Sequence, residues 1–171
     1  MIDEAIVVAR LIHVLGGILW VGAMVFVAAF LMPAIQETGP DGGKVMAAIG
    51  RRRFLQVMPS LAILTILSGI YLYWRVSDGF ETGYMKSGPG HAYAIGGLLA
   101  ILAFVLGLTV TRPAMMKAMA LTQSAATAPE AERGEIMARA GALRGRGARF
   151  GVIIMWLLIT SAASMAVGRY L

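Results

Sequence analysis

Apolar and polar residues alternate along the chain on a long scale: four apolar runs are separated by three polar joints. The runs cover Ala5–Met32, Phe54–Trp74, His91–Thr111 and Phe150–Gly168. Each reaches the roughly 20 residues that a helix needs to cross a bilayer, and the predicted helices occupy residues 5–33, 54–75, 91–112 and 150–169. The joints differ in character. Gly39-Pro40-Asp41-Gly42-Gly43 is a turn cluster, followed by a short stretch leading to Arg51–Arg53. The segment Val76–Gly90 holds four glycines and Pro89 and reads as irregular. Residues 113–149 form a long joint, within which Pro129-Glu130-Ala131-Glu132 opens a short amphipathic helix, with proline in the first turn and acids near the positive dipole end. The predicted fold is an all-α integral membrane four-helix bundle forming one domain over residues 1–171.

Within the runs, helical periodicity separates faces. His13, Gly16, Gly17, Trp20, Met24 and Leu31 share one face of the first span, and Gly96, Ala100, Ala103 and Gly107 form a narrow small-residue stripe on the third. Small residues let backbones approach, which explains such stripes by helix packing alone. It does not explain a histidine at the end of the stripe, where desolvation penalises an unpaired polar group. A weak internal repeat adds to the pattern. Gly16-Gly17 precedes Pro33-Ala34 by the spacing that separates Gly96-Gly97 from Pro113-Ala114, an offset of 80. Spans two and four both open on Arg-Phe, at Arg53-Phe54 and Arg149-Phe150. Two helical hairpins related by an axis along the membrane normal would give this pattern, with a ligand pocket between them.

Composition changes the picture in two ways. Charged residues make up only 14% of the chain, against about a quarter in a soluble domain, so the lipid bilayer is the expected surrounding. The absence of cysteine excludes disulfides, thiolate-held iron–sulfur clusters and covalent haem attachment. The net charge of +6 follows topology. Lys44, Arg51–Arg53, Arg112, Lys117, Arg133, Arg139, Arg144, Arg146 and Arg149 fall in the first and third joints, while Arg10, Arg75, Lys86 and Arg169 fall at the other end. By the positive-inside rule the termini face the periplasm, in a multi-pass protein of the cell inner membrane. That mapping leaves no need for a nucleic-acid partner. The N-terminus, with Asp3 and Glu4 in place of a basic region, does not read as a cleavable signal.

The chemistry rests on the two histidines, His13 and His91, each near the end of an apolar helix. An ionisable residue in a membrane helix is a functional-site hypothesis by default. If spans one and three run in parallel, the two imidazoles share a depth that suits a haem iron held between helices, with His13 as one axial ligand and His91 as the other. Wheel geometry complicates the second choice. His91 lies about 140° from the small stripe, whereas Tyr93 falls on the inward face and is the counterpart of His13 under the offset of 80. Arg10, one turn from His13, and Arg75 are candidate partners for haem propionates, and Trp20 a candidate to pack on the porphyrin. Copper is the alternative, through the thioethers of twelve methionines, although methionine also fills cores. A third alternative is an accessory subunit that packs its stripes against a larger membrane complex. A redox partner and homo-oligomerisation are compatible with the first and third readings. No Ser/His/Asp set is apparent, the glycine-rich turn lacks the Lys-Ser/Thr of a phosphate loop, and no acid lies within a span core.

The segment His13-Val14-Leu15-Gly16-Gly17-Ile18-Leu19-Trp20-Val21-Gly22-Ala23-Met24 resembles the first helix of the copper-resistance protein D group of bacterial membrane proteins. Leu31-Met32-Pro33-Ala34 and the later Arg112-Pro113, basic joint and final helix are also similar. A second similarity is to four-helix, haem-binding protoporphyrinogen oxidases, through His13 followed by Trp20, Arg51–Arg53 and Met58-Pro59. In that family the third helix starts His-x-Lys; here it starts His91-Ala92-Tyr93. The resemblance therefore implies haem binding more than protoporphyrinogen oxidation, and the copper-resistance likeness implies copper handling.

Overall fold

The computed structural model describes residues 3–39 and 42–171; Pro40 and Asp41 of the first turn cluster lie outside them. Four helices among the described residues are long and apolar enough to cross a membrane, and they pack as a bundle. We label the helices α1 (Glu4–Glu37), α2 (Gly42–Arg51), α3 (Phe54–Val76), α4 (Thr82–Met85), α5 (Gly88–Ala125) and α6 (Glu130–Val167), the last continued by a 3₁₀ turn to Tyr170. Helix α1 starts at a proper cap: the Asp3 carboxylate accepts from the backbone N–H groups of Ala5 and Ile6. Ser87 and Glu81 cap α5 and α4 in the same way.

The bundle is two hairpins. Helix α1 packs chiefly on α3, and α5 chiefly on α6, with lighter α1–α6 and α3–α5 contacts that leave α1 and α5 on the diagonal. Its centre is a cluster of Trp20, Ala62, Ala103, Ile154 and Leu158. Large apolar side chains such as Leu11, Ile18, Leu19, Leu67, Leu98 and Trp156 point outward, which in water would be prohibitive and in lipid costs nothing.

The third joint differs from expectation. Instead of a loop holding one short helix, α5 runs on to Ala125 and α6 starts at Glu130, so the basic residues sit on two helical extensions. The segment is rich in Ala, Glu and Arg, all strong helix formers, and Ala118, Ala125 and Ala140 are buried where the two extensions meet. Arg144 reaches across to donate to the Thr122 hydroxyl. The first joint also holds more structure than the sequence suggested, in the form of α2, a ten-residue helix with Val45, Met46 and Ile49 facing the bundle. The third span begins earlier than expected, at Gly88, with Pro89 in its first turn.

Both hairpins share one irregularity. Helix α1 widens to a π turn at Val27–Leu31 and α5 does so at Gly107–Thr111, the same offset of 80. In each, the N–H before a proline bonds five residues back, Met32 to Val27 and Arg112 to Gly107. Pro33 and Pro113 cause this: proline lacks an N–H and its ring clashes with the carbonyl four residues earlier, and the wider turn moves that carbonyl aside.

Candidate functional site

His13 lies in the α1–α3 seam. Its Nδ1 is 2.8 Å from the Thr65 carbonyl oxygen, which can only accept, so Nδ1 carries the proton and Nε2 keeps its lone pair. The ring rests on Gly69, where an added Cβ would lie 2.6 Å from His13 Cε1. One turn further in, Gly16 faces Thr65 as closely, with a virtual Cβ 2.5 Å from Thr65 Oγ1. The same Thr65 carbonyl also accepts from the Ser68 hydroxyl at 3.0 Å. A hydrogen bond of this kind to a backbone carbonyl fixes the tautomer and orientation of a ligating histidine. Beside the seam a hollow of about 540 Å³, lined by Ala9, Ile12, Leu64, Leu67 and Ser68, opens toward the lipid.

The other expected residues are placed elsewhere. His91 is exposed, and its Nδ1 is 2.9 Å from the Ser87 carbonyl at the start of its own helix; on diagonal helices, the fold does not turn it toward His13. Tyr93 packs into the α5–α6 seam against Gly168. Arg75 pairs with Asp3, tying α3 to the start of α1, and lies 5.9 Å from the Trp74 ring centre. Arg10 is exposed on the outer surface of α1. Trp20 is only 5% exposed and belongs to the central core, which favours packing over contact with a cofactor beside His13.

Matched positions become visible only in three dimensions. With spans two and four offset by 96, Thr65 corresponds to Ser161 and Ser68 to Ser164. Ser161 donates to the Gly96 carbonyl and Ser164 to the Ala92 carbonyl, both at 2.7 Å across the α5–α6 seam. Gly16 against Thr65 thus corresponds to Gly96 against Ser161. The signal was present in the sequence, but it needs two different offsets to be seen.

A second, deeper hollow lies toward the opposite end from His13. A cavity of about 520 Å³ sits between the hairpins at the basic end, floored by Trp20, Ala62, Ala103 and Ile154 and roofed by the apolar face of α2. Met24, Met32, Met46, Met58, Met115 and Met119 all line it. Neither histidine does. Thr111 and Arg112 also border it, although Thr111 Oγ1 and Arg112 Nε themselves are packed inside the protein, off the cavity surface, without a hydrogen-bond partner. Sequence reasoning missed this site because its lining comes from five helices. Among the described residues no three His, Cys, Asp or Glu side chains converge on a point.

No family model, curated protein or solved structure matches the chain.

Proposed function

We propose that this multi-pass membrane protein is a redox protein that holds a b-type haem on His13. The observation that carries the reading is the Nδ1–H···O=C bond from His13 to Thr65, which leaves Nε2 for a metal. Gly69 leaves room for the ring, since an added Cβ would lie 2.6 Å from His13 Cε1, and the hollow bordered by Ala9, Ile12 and Ser68 lies near the same seam. A haem there supplies one-electron chemistry at its iron. The residues present fit one axial ligand and do not fit a second from the same chain, since His91 bonds to Ser87 and Tyr93 packs on Gly168. Arg10, one turn from His13, would be the cation for a propionate, because Arg75 already pairs with Asp3.

The six methionines around the basic-end cavity favour copper as a second reading, by the preference of Cu(I) for thioethers. A guanidinium in the same wall opposes it, because a copper ion beside Arg112 would place like charges together in a medium of low dielectric.

The test is the visible spectrum of protein produced with ample haem. A Soret band is expected, with the reduced form open to carbon monoxide. His13→Ala should remove the band while the protein still inserts, and His91→Ala should leave it unchanged. Colourless wild-type protein, or a band that survives His13→Ala, overturns the reading.

A further inference from the structure

The elbow between α2 and α3 concentrates charge. Arg51, Arg52 and Arg53 follow one another there, all are exposed, and no carboxylate among the described residues pairs with any of them. Arg53 holds a left-handed backbone with φ 58°, uncommon for a residue with a Cβ, which turns the chain sharply and keeps the three arginines at one corner. On the other hairpin the basic residues are spread along two helical extensions, and several are engaged. Arg133 donates to the Ala128 carbonyl, Arg139 pairs with Glu135 and Arg144 donates to Thr122. The positive-inside rule asks for cations in this joint and is indifferent to where they stand. Adjacent, exposed and unpaired, at the end of a span, they form the array that attracts anionic headgroups.

The hollow at the basic end begins at the same corner. Ile49 and Gly50 precede the arginines, Phe54 and Leu55 follow them, and all four line it. Phe26 and Val45 also line it and are exposed, so it opens sideways to the bilayer. Its α1 wall runs from Trp20 to Met32, about 18 Å at the helical rise, against the ~15 Å of hydrocarbon in one leaflet. Its lining is mostly apolar, and the flexible methionines adapt to a chain with many rotamers. Exposed cations at the edge and an apolar trough as deep as a leaflet match the two ends of one phospholipid.

We propose that an anionic phospholipid from the leaflet at the basic end docks at this elbow, its charged head on Arg51–Arg53 and one acyl chain in the hollow against Trp20. The site is separate from the His13 seam and stands or falls independently of the haem reading.

Trp20 supplies the readout, because it lines the hollow whereas Trp74 and Trp156 face outward. Protein carrying Trp74→Phe and Trp156→Phe is reconstituted in phosphatidylcholine bilayers with rising shares of dibromostearoyl phosphatidylglycerol or of the equally brominated phosphatidylcholine. The phosphatidylglycerol should quench Trp20 saturably, with half-quenching at a mole fraction about tenfold lower. Arg51→Gln, Arg52→Gln and Arg53→Gln together should bring the two curves onto each other. Lys117→Gln, Arg146→Gln and Arg149→Gln together remove the same charge from exposed positions on the other hairpin and should leave the preference in place. Should the elbow variant fail to insert, Ala23→Phe keeps the arginines and fills the hollow, and it should abolish quenching at low mole fraction. Equal quenching by the two lipids, or none that saturates, would overturn the proposal in favour of a merely apolar hollow. A preference that both triple variants erase alike would overturn it in favour of a general basic surface, and quenching that survives Ala23→Phe would overturn it as well.

Discussion

The two hairpins carry small polar residues at matched positions and use them differently. In the α5–α6 pair, Ser161 and Ser164 donate across the seam to carbonyls of the facing helix. In the α1–α3 pair, Thr65 and Ser68 donate to carbonyls of their own helix, at Leu61 and Leu64, and the bond across the seam comes from His13 instead. Hydroxyls that back-bond in this way add nothing between helices. One hairpin is therefore closed by groups that can do little else, while the other is closed by a side chain with a second nitrogen to offer.

The largest effect that would break this comparison comes from crowding the seams. An added Cβ at Gly96 meets the Ser161 carbonyl oxygen at 3.1 Å and Met165 Cγ at 2.9 Å, so Gly96→Val should cost about 1–3 kcal/mol, and Met165→Ala should restore only part of it because backbone stands in the way. At Gly16 the obstacle is a side-chain atom, Thr65 Oγ1, at 2.5 Å. Gly16→Ala should thus be destabilising alone and largely repaired by Thr65→Ala. Thermal unfolding in detergent, followed by circular dichroism, measures both; full rescue at Gly96 or none at Gly16 would erase the distinction.

A smaller effect sharpens it. Ser161→Ala and Ser164→Ala should each lower stability by about 0.6 kcal/mol, the usual size of an interhelical hydrogen bond in a membrane protein. Ser68→Ala, which removes only a bond within its own helix, should be closer to neutral. Equivalent losses at Ser68 and Ser164 would mean that the two seams are closed alike.

The smallest effect concerns the joint between the hairpins. The Glu81 carboxylate accepts from the N–H groups of Gly83 and Tyr84, which hold its pKa below the ordinary carboxylate range. A folded-state pKa depressed in this way contributes stability above the unfolded value and loses it as pH falls through the folded one. Acidification below the usual carboxylate range should therefore loosen α4 first. The amide resonances of Gly83 and Tyr84 should shift together over that window, and Glu81→Gln should remove the transition.

The four spans were legible because a bilayer demands long apolar runs and nothing in a 171-residue chain imitates them. The helix ends were not. Lys117–Ala125 and Glu130–Arg149 are polar but made of helix formers, and what makes them helices is each other, through small residues such as Ala118 and Ala140 that hydropathy does not single out. His13 was legible as an inward residue, and its partner was not, since a backbone carbonyl has no sequence signature. His91 was misleading: a helix-start histidine satisfies itself on Ser87, as its angle from the small stripe hinted. The repeat was half visible, with the offset of 80 in the glycines and prolines, and the offset of 96 marked only by Arg53-Phe54 and Arg149-Phe150 and otherwise masked by conservative exchanges such as Thr65 for Ser161.

The paired π turns have a consequence for the editing of this chain. A π turn holds one residue more than the same length of straight α-helix, so Val27–Leu31 and Gly107–Thr111 each carry a residue that a straight span would not need. That makes these the two places where the gene tolerates being shortened. Loss of one codon elsewhere in a span rotates everything beyond it by about 100° and turns its lipid face inward. Loss of Ala29 together with Pro33→Ala would erase the wide turn and leave both ends of α1 facing the way they do now.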